Sequence, residues 1–136
     1  MTPAQPLEEI AHRILWTASN MHLLGAIADE FDTTRPFAGL RIGVSLHLEV
    51  KTAVLLLALQ RGGAEVGAVG NYCTTQDDVV AYLIVRGIDA RGRHSDPRDT
   101  HLGVVRSIVE ADPDLLLDNG SDLAAFAIAR EVAVLV

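Results

Sequence analysis

Between Leu40 and Arg61 the chain changes its rhythm. "LRIGVSL" is a short run of small and apolar residues, which predicts a buried strand. A helical pattern follows from about Glu49 to Arg61, and "GG" closes it, as glycine does beyond a helix C-terminus. The alternation then repeats. "AEVGAVG" predicts a second strand, and "TTQDDVVAYLIVRG" a second helix, with threonine as N-cap, acids in the first turn and Gly87 at its end. "IDARGR" predicts a third, weaker strand, and "SDPRDTHLGVVRSIVEA" a third helix with Pro97 in its first turn. "PDLLLDNG" reads as a fourth strand, "SDLAAFAIARE" as a short helix, and "VAVLV" as a fifth strand. Ahead of this series, Ile10, Ile14, Leu15, Leu23, Leu24, Ile27 and Ala28 recur at helical spacing. They predict a helical segment over 7–34, broken near Ser19 and Asn20, after a loose start over 1–6.

Strands alternating with amphipathic helices predict an α/β fold. The expected form is a Rossmann-like or flavodoxin-like parallel sheet of about five strands with helices on both faces, in one domain over 1–136. "RIGVSL", "EVGAV" and "DLLL" are expected at its centre.

Composition narrows the function classes. Hydrophobic residues make up 49% of the 136, which is high for a small domain and predicts strands buried on both faces or a surface that docks on another chain. No apolar run approaches the ~20 residues of a membrane span. No basic start precedes an apolar stretch, so no signal peptide and a cytoplasmic setting are expected. The net charge of −7, with Lys51 the only lysine, argues against a nucleic-acid surface. Cys73 is the single cysteine, so no internal disulfide can form.

Ligands of open parallel sheets bind beyond the carboxyl ends of the strands. His47, Glu49 and Lys51 follow the first strand, and "NYCTTQD" follows the second. His94, Ser95 and Asp96 follow the third; Asp118, Asn119, Ser121 and Asp122 follow the fourth. Each has a plain structural alternative. His47 can fill a crevice, Glu49 and Lys51 point to different sides of a helix, Thr74 to Asp77 can cap one, and "DNGSD" is a good turn. In "HSDPRDTH", the residues His94, Asp96, Asp99 and His101 invite a metal reading, but the spacing fits no ordinary zinc pattern. "GAEVGAVG" is no dinucleotide fingerprint, because its glycines lie within a strand.

"LWTASNMHLL", "RPFAGLRIGVSLHLEVKTAVLLLALQRGGAEV", "NYCTTQDDVVAYLIVRGI" and "LLLDNGSDL" resemble the N-terminal part of S-adenosylhomocysteine hydrolase, in order and spacing, from about Ile14 to Leu123. The resemblance implies a substrate-domain scaffold from an enzyme that splits S-adenosylhomocysteine into adenosine and homocysteine. In that enzyme a bound NAD oxidises the 3′-hydroxyl, which acidifies the 4′-hydrogen and allows elimination of the thiol. It also implies that His47 contacts the ribose and takes part in acid/base work, and that family members assemble as homo-oligomers.

Three positions depart from the family pattern. Glu49 stands where a threonine is common, and Lys51 where a substrate-binding glutamate is found. Asn119 replaces the second aspartate of an Asp-Asp pair, and an amide cannot take or give a proton in an acid/base role. Expected catalytic residues are therefore His47, Glu49 and Asp118. Expected substrate-binding residues are Lys51, Thr52, Asn71, Thr75, Gln76, Asp77 and Asn119. No metal and no cofactor of its own are expected, NAD entering only from another domain or chain. The expected partners are a nucleoside-like small molecule and a second copy or partner chain. Three functional readings follow: a small enzyme using the cleft for NAD-independent chemistry, a non-catalytic nucleoside-binding or assembly module, and part of a split hydrolase.

Overall fold

All four central residues of β1 (Arg41–Leu46) are buried. Ile42 and Val44 pack on one side, and Gly43 and Ser45 face the other. A strand covered on both faces belongs inside a parallel sheet. The computed structural model describes residues 4–135. It pairs β1 in parallel with β2 (Glu65–Gly70) on one side and β4 (Leu115–Asp118) on the other, and β3 (Asp89–Arg91) pairs with β2. The order is β3-β2-β1-β4.

Helices α1 (Ala4–Asn20), α2 (His22–Thr34), α3 (Val50–Arg61) and α4 (Asp77–Val85) belong to one layer. Between them and the sheet lies the larger core, with Ile10, Ile14, Ile42, Val44, Leu56, Val66, Val79 and Leu83. Helices α5 (Arg98–Glu110) and α6 (Asp122–Leu135) cover the opposite face through Val69, Val105, Ile108, Val109 and Leu123. Gly43 matters here. A Cβ at this position would sit 3.0 Å from the Ile108 side chain and 3.2 Å from Pro113, so its absence lets α5 lie close to the sheet.

Three expectations are corrected. The sheet has four strands, because "VAVLV" continues α6 as far as Leu135 instead of forming a fifth; Val136 lies outside the described residues. A uniformly apolar run has no period, so a helix already started at Asp122 extends through it. "DLLL" forms an edge strand and not a central one: Leu115, Leu116 and Leu117 are 46%, 38% and 37% exposed. Helix α1 begins at Ala4, inside the stretch expected to be loose; residues 1–3 lie outside the described residues.

Candidate functional site

The order β3-β2-β1-β4 contains one reversal. From β1 the chain moves outward through β2 to β3, then returns past β1 to β4. Loops leaving β1 and β4 therefore diverge to opposite faces, and a crevice opens between them at the carboxyl edge, the usual ligand position in such sheets. His47 and the Asp118–Asn119 pair flank this switch point.

Backbone bonds hold the rim in place. The Asn71 N–H donates to Leu46 O at 3.0 Å, the Asn119 N–H to Ser45 O at 2.9 Å, and the Gln76 N–H to Leu48 O at 2.9 Å. The Asn71 side-chain amide donates to Asn119 O at 2.6 Å, and Asp118 Oδ2 accepts the Ala124 N–H at 3.0 Å, fixing the start of α6. Four buried side-chain atoms lack a hydrogen-bond partner among the described residues: Ser45 Oγ, Asn71 Oδ1, Asp118 Oδ1 and His101 Nε2. The first three belong to this one hydrogen-bonded cluster. Native interiors rarely leave such atoms unpaired.

Beside the switch point a second group gathers. Glu49 occupies the N-cap of α3 and Gln76 the N-cap of α4, yet neither side chain makes a capping hydrogen bond. Both line a recess of about 490 Å³ with Val50, Lys51, His12, Arg13, Trp16 and Thr17. The α1 residues reach it because α1 packs across α3 and α4, with Arg13 paired to Asp78 at 3.0 Å. Trp16 is 71% exposed there.

The expected site residues thus divide. Asn71, Asp118 and Asn119 meet at the switch point, with His47 exposed at its lip. Glu49, Lys51 and Gln76 share the recess. Thr52 is half-buried in the first turn of α3. Thr75 is buried against Gly70, where a Cβ would meet its hydroxyl at 2.0 Å. Asp77 accepts the His94 N–H at 2.8 Å and so joins the loops after β2 and β3. The "HSDPRDTH" acids and histidines disperse: Asp96 accepts the Arg93 N–H, the His94 ring meets Thr75 O, and His101 is buried in α5 against Tyr72. Among the described residues no group of three or more His, Cys, Asp or Glu side chains is placed to hold a metal ion. Cys73 is exposed, and beside it the Tyr72 phenol is held above its ordinary value, first by hydrogen bonding with the Cys73 side chain, while Arg98 pulls the other way.

Trp16, His12 and Arg13 were missed from sequence. The signal was there: His12 and Trp16, like Arg13 and Thr17, stand four apart and lie off the apolar stripe of Ile10 and Ile14.

The model of the family described as S-adenosyl-L-homocysteine hydrolase matches residues 9–134. The chain belongs to this family. Among S-adenosyl-L-homocysteine hydrolase relatives, it is 37% identical over 109 residues to the S-inosyl-L-homocysteine hydrolase of Methanococcus maripaludis, covering 79% of this chain and 26% of that protein. It is 37% identical over 114 residues to the adenosylhomocysteinase of Thermococcus kodakarensis (83% and 27%). To the adenosylhomocysteinase of Archaeoglobus fulgidus it is 38% identical over 112 residues (82% and 28%). The chain thus spans about a quarter of the length of the curated relatives it matches.

The family's dinucleotide, NAD, does not fit the residues described here. A pyrophosphate needs a glycine-rich turn between strand and helix N-terminus. The turn after β1 instead carries His47, Leu48 and the carboxylate of Glu49, the glycines of β2 are inside the strand, and the turn from β4 to α6 has a single glycine, Gly120, between the carboxylates of Asp118 and Asp122. No helix among the described residues is long and apolar enough to cross a membrane.

Proposed function

We propose that the chain is the nucleoside-holding domain of a hydrolase acting on a nucleoside–homocysteine thioether, with the redox half of the chemistry on a separate domain or chain. One observation carries this reading: the residues that follow β1 and β2, Glu49, Lys51 and Gln76, line a recess with the exposed ring of Trp16, at the carboxyl edge where His47 and Asn119 also leave the sheet. His47 and Asn119, both exposed where β1 and β4 end, offer a ring nitrogen and an amide to ribose hydroxyls. Trp16 offers a flat face to a ring, and His47, exposed just beyond β1, brings an imidazole to the same edge. Asn119 supplies a backbone anchor and an amide but no acid.

A second reading keeps a specific support. Glu49 is a carboxylate two residues from His47 and is not used as a cap, which suits an acid/base pair in a small NAD-independent enzyme. Titration of the purified chain with adenosine, inosine and S-adenosylhomocysteine, with a thiol assay for homocysteine, separates the two. Saturable binding without thiol release supports the nucleoside-holding domain. Thiol release by the chain alone, abolished in His47→Ala and Glu49→Gln, supports the enzyme. Absence of any binding sinks both.

A further inference from the structure

The relatives differ at one chemical point. Their printed substrates carry an inosyl or an adenosyl group, which means an oxo or an amino group at purine C6. Overall similarity does not choose between them, since the identities are 37% for one of each kind. The walls of the recess do choose, granted the reading above that a nucleoside base sits there. We propose that Lys51 makes this domain selective for a 6-oxo purine.

Lys51 is an ammonium with three donors and no acceptor. A 6-oxo purine offers it two acceptors side by side, O6 and N7, which is the edge that Lys and Arg read on guanine. Adenine presents N7 beside an amino group, which sets donor against donor. Glu49, an acceptor, lines the same recess. The 6-oxo ring carries a proton on N1 that a carboxylate can accept, whereas adenine N1 is a lone pair. The reverse docking, with Lys51 on adenine N1 and Glu49 on the amino group, satisfies the same two side chains, so the balance of charge decides. Arg13 is neutralised by Asp78. That leaves Lys51 against Glu49; Asp77 in the first turn of α4 offsets the positive end of that helix, while the first turn of α3 carries no acid and its positive end opens on the recess. The excess is positive, and it favours the ring whose C6 substituent is a carbonyl oxygen. Gln76, both donor and acceptor, serves either ring, and the exposed face of Trp16 stacks either.

The chain contains a single tryptophan, so its fluorescence reports on the recess itself. Inosine and adenosine are titrated against the full chain and against Lys51→Glu. The expected result is saturable quenching by both, with inosine bound about tenfold more tightly, and a reversed order in Lys51→Glu. A Lys51→Met variant, which keeps the stem and loses the charge, is expected to bind both with similar affinity. Equal affinities in the wild type, tighter adenosine binding, or an unchanged ratio in Lys51→Glu overturns the selectivity while leaving the nucleoside site standing. If neither nucleoside quenches or binds by calorimetry, the nucleoside reading falls and the selectivity with it.

Discussion

The side-chain amide of Asn71 reaches the backbone carbonyl of Asn119 at 2.6 Å, from the loop after β2 to the loop after β4. Between those strands lies β1, to which both loops are also bonded, Asn71 through Leu46 O and Asn119 through Ser45 O. The bond therefore arches over the end of β1, beside the point where His47 leaves the sheet. Replacing Asn71 with alanine removes the arch. The expected loss is about 1 kcal/mol, the net worth of one such bond, read as a lower urea midpoint with an unchanged slope. Nucleoside affinity is expected to fall as well, because the Asp118–Asn119 loop loses its tether.

Gly70 leaves no room for any other residue. A Cβ would lie 2.0 Å from the Thr75 hydroxyl and 3.1 Å from Thr75 Cβ. Gly70→Ala is expected to destabilise by about 1–3 kcal/mol through overpacking. Adding Thr75→Ala removes the hydroxyl clash but keeps the tight Cβ contact, so thermal melts of the double variant are expected to show partial recovery. Full additivity of the two losses would show that the clash is relieved elsewhere.

At the opposite edge, the pair of Asp89 and Arg91 gives the protein a sensitivity to acid. The hydrogen bonds from Arg91 hold the Asp89 carboxyl below its ordinary value, against a smaller effect of burial. A lowered folded value means stability that is present above the unfolded carboxylate pKa of about 3.9 and is lost as pH falls through the folded one. Asp89 is 56% exposed, so solvent screens the pair and its worth at neutral pH is below about 1 kcal/mol. The melting temperature of Asp89→Asn is expected to lie slightly under wild type at pH 7, and the gap is expected to narrow as pH falls below about 4.

Self-association is expected through β4, where Leu115 and Leu117 are exposed on an unpaired edge. Light scattering at micromolar concentration is expected to show species larger than a monomer. Leu115→Lys is expected to shift them toward monomer without changing the circular dichroism spectrum. A wild-type chain that stays monomeric removes this edge as a contact.

The sheet was legible because its strand and helix periods differ. "RIGVSL" and "EVGAVG" are short and bounded by polar or glycine signals, and both fall where expected. What an apolar run packs against is not written in the run. "DLLL" has the composition of a central strand, yet lies on the edge because no further strand pairs beyond it among the described residues. "VAVLV" has no period with which to announce helix or strand. At the site, sequence placed Glu49, Lys51 and Gln76 after the right strands but could not say whether they cap helices or face a ligand. That depends on α1, whose Trp16, His12 and Arg13 close the recess from a distant part of the chain.

The open edge of β4 has a further consequence. The last β4 residue, Asp118, and the adjoining Asn119 belong to the polar cluster, so that edge and the switch point share a border. A strand laid in parallel along β4 would end with its own loop next to Asn119. Whatever polypeptide extended the sheet would then also wall in the sugar position. Assembly and completion of the binding site would be one event, and affinity for the nucleoside would rise with the concentration of the partner.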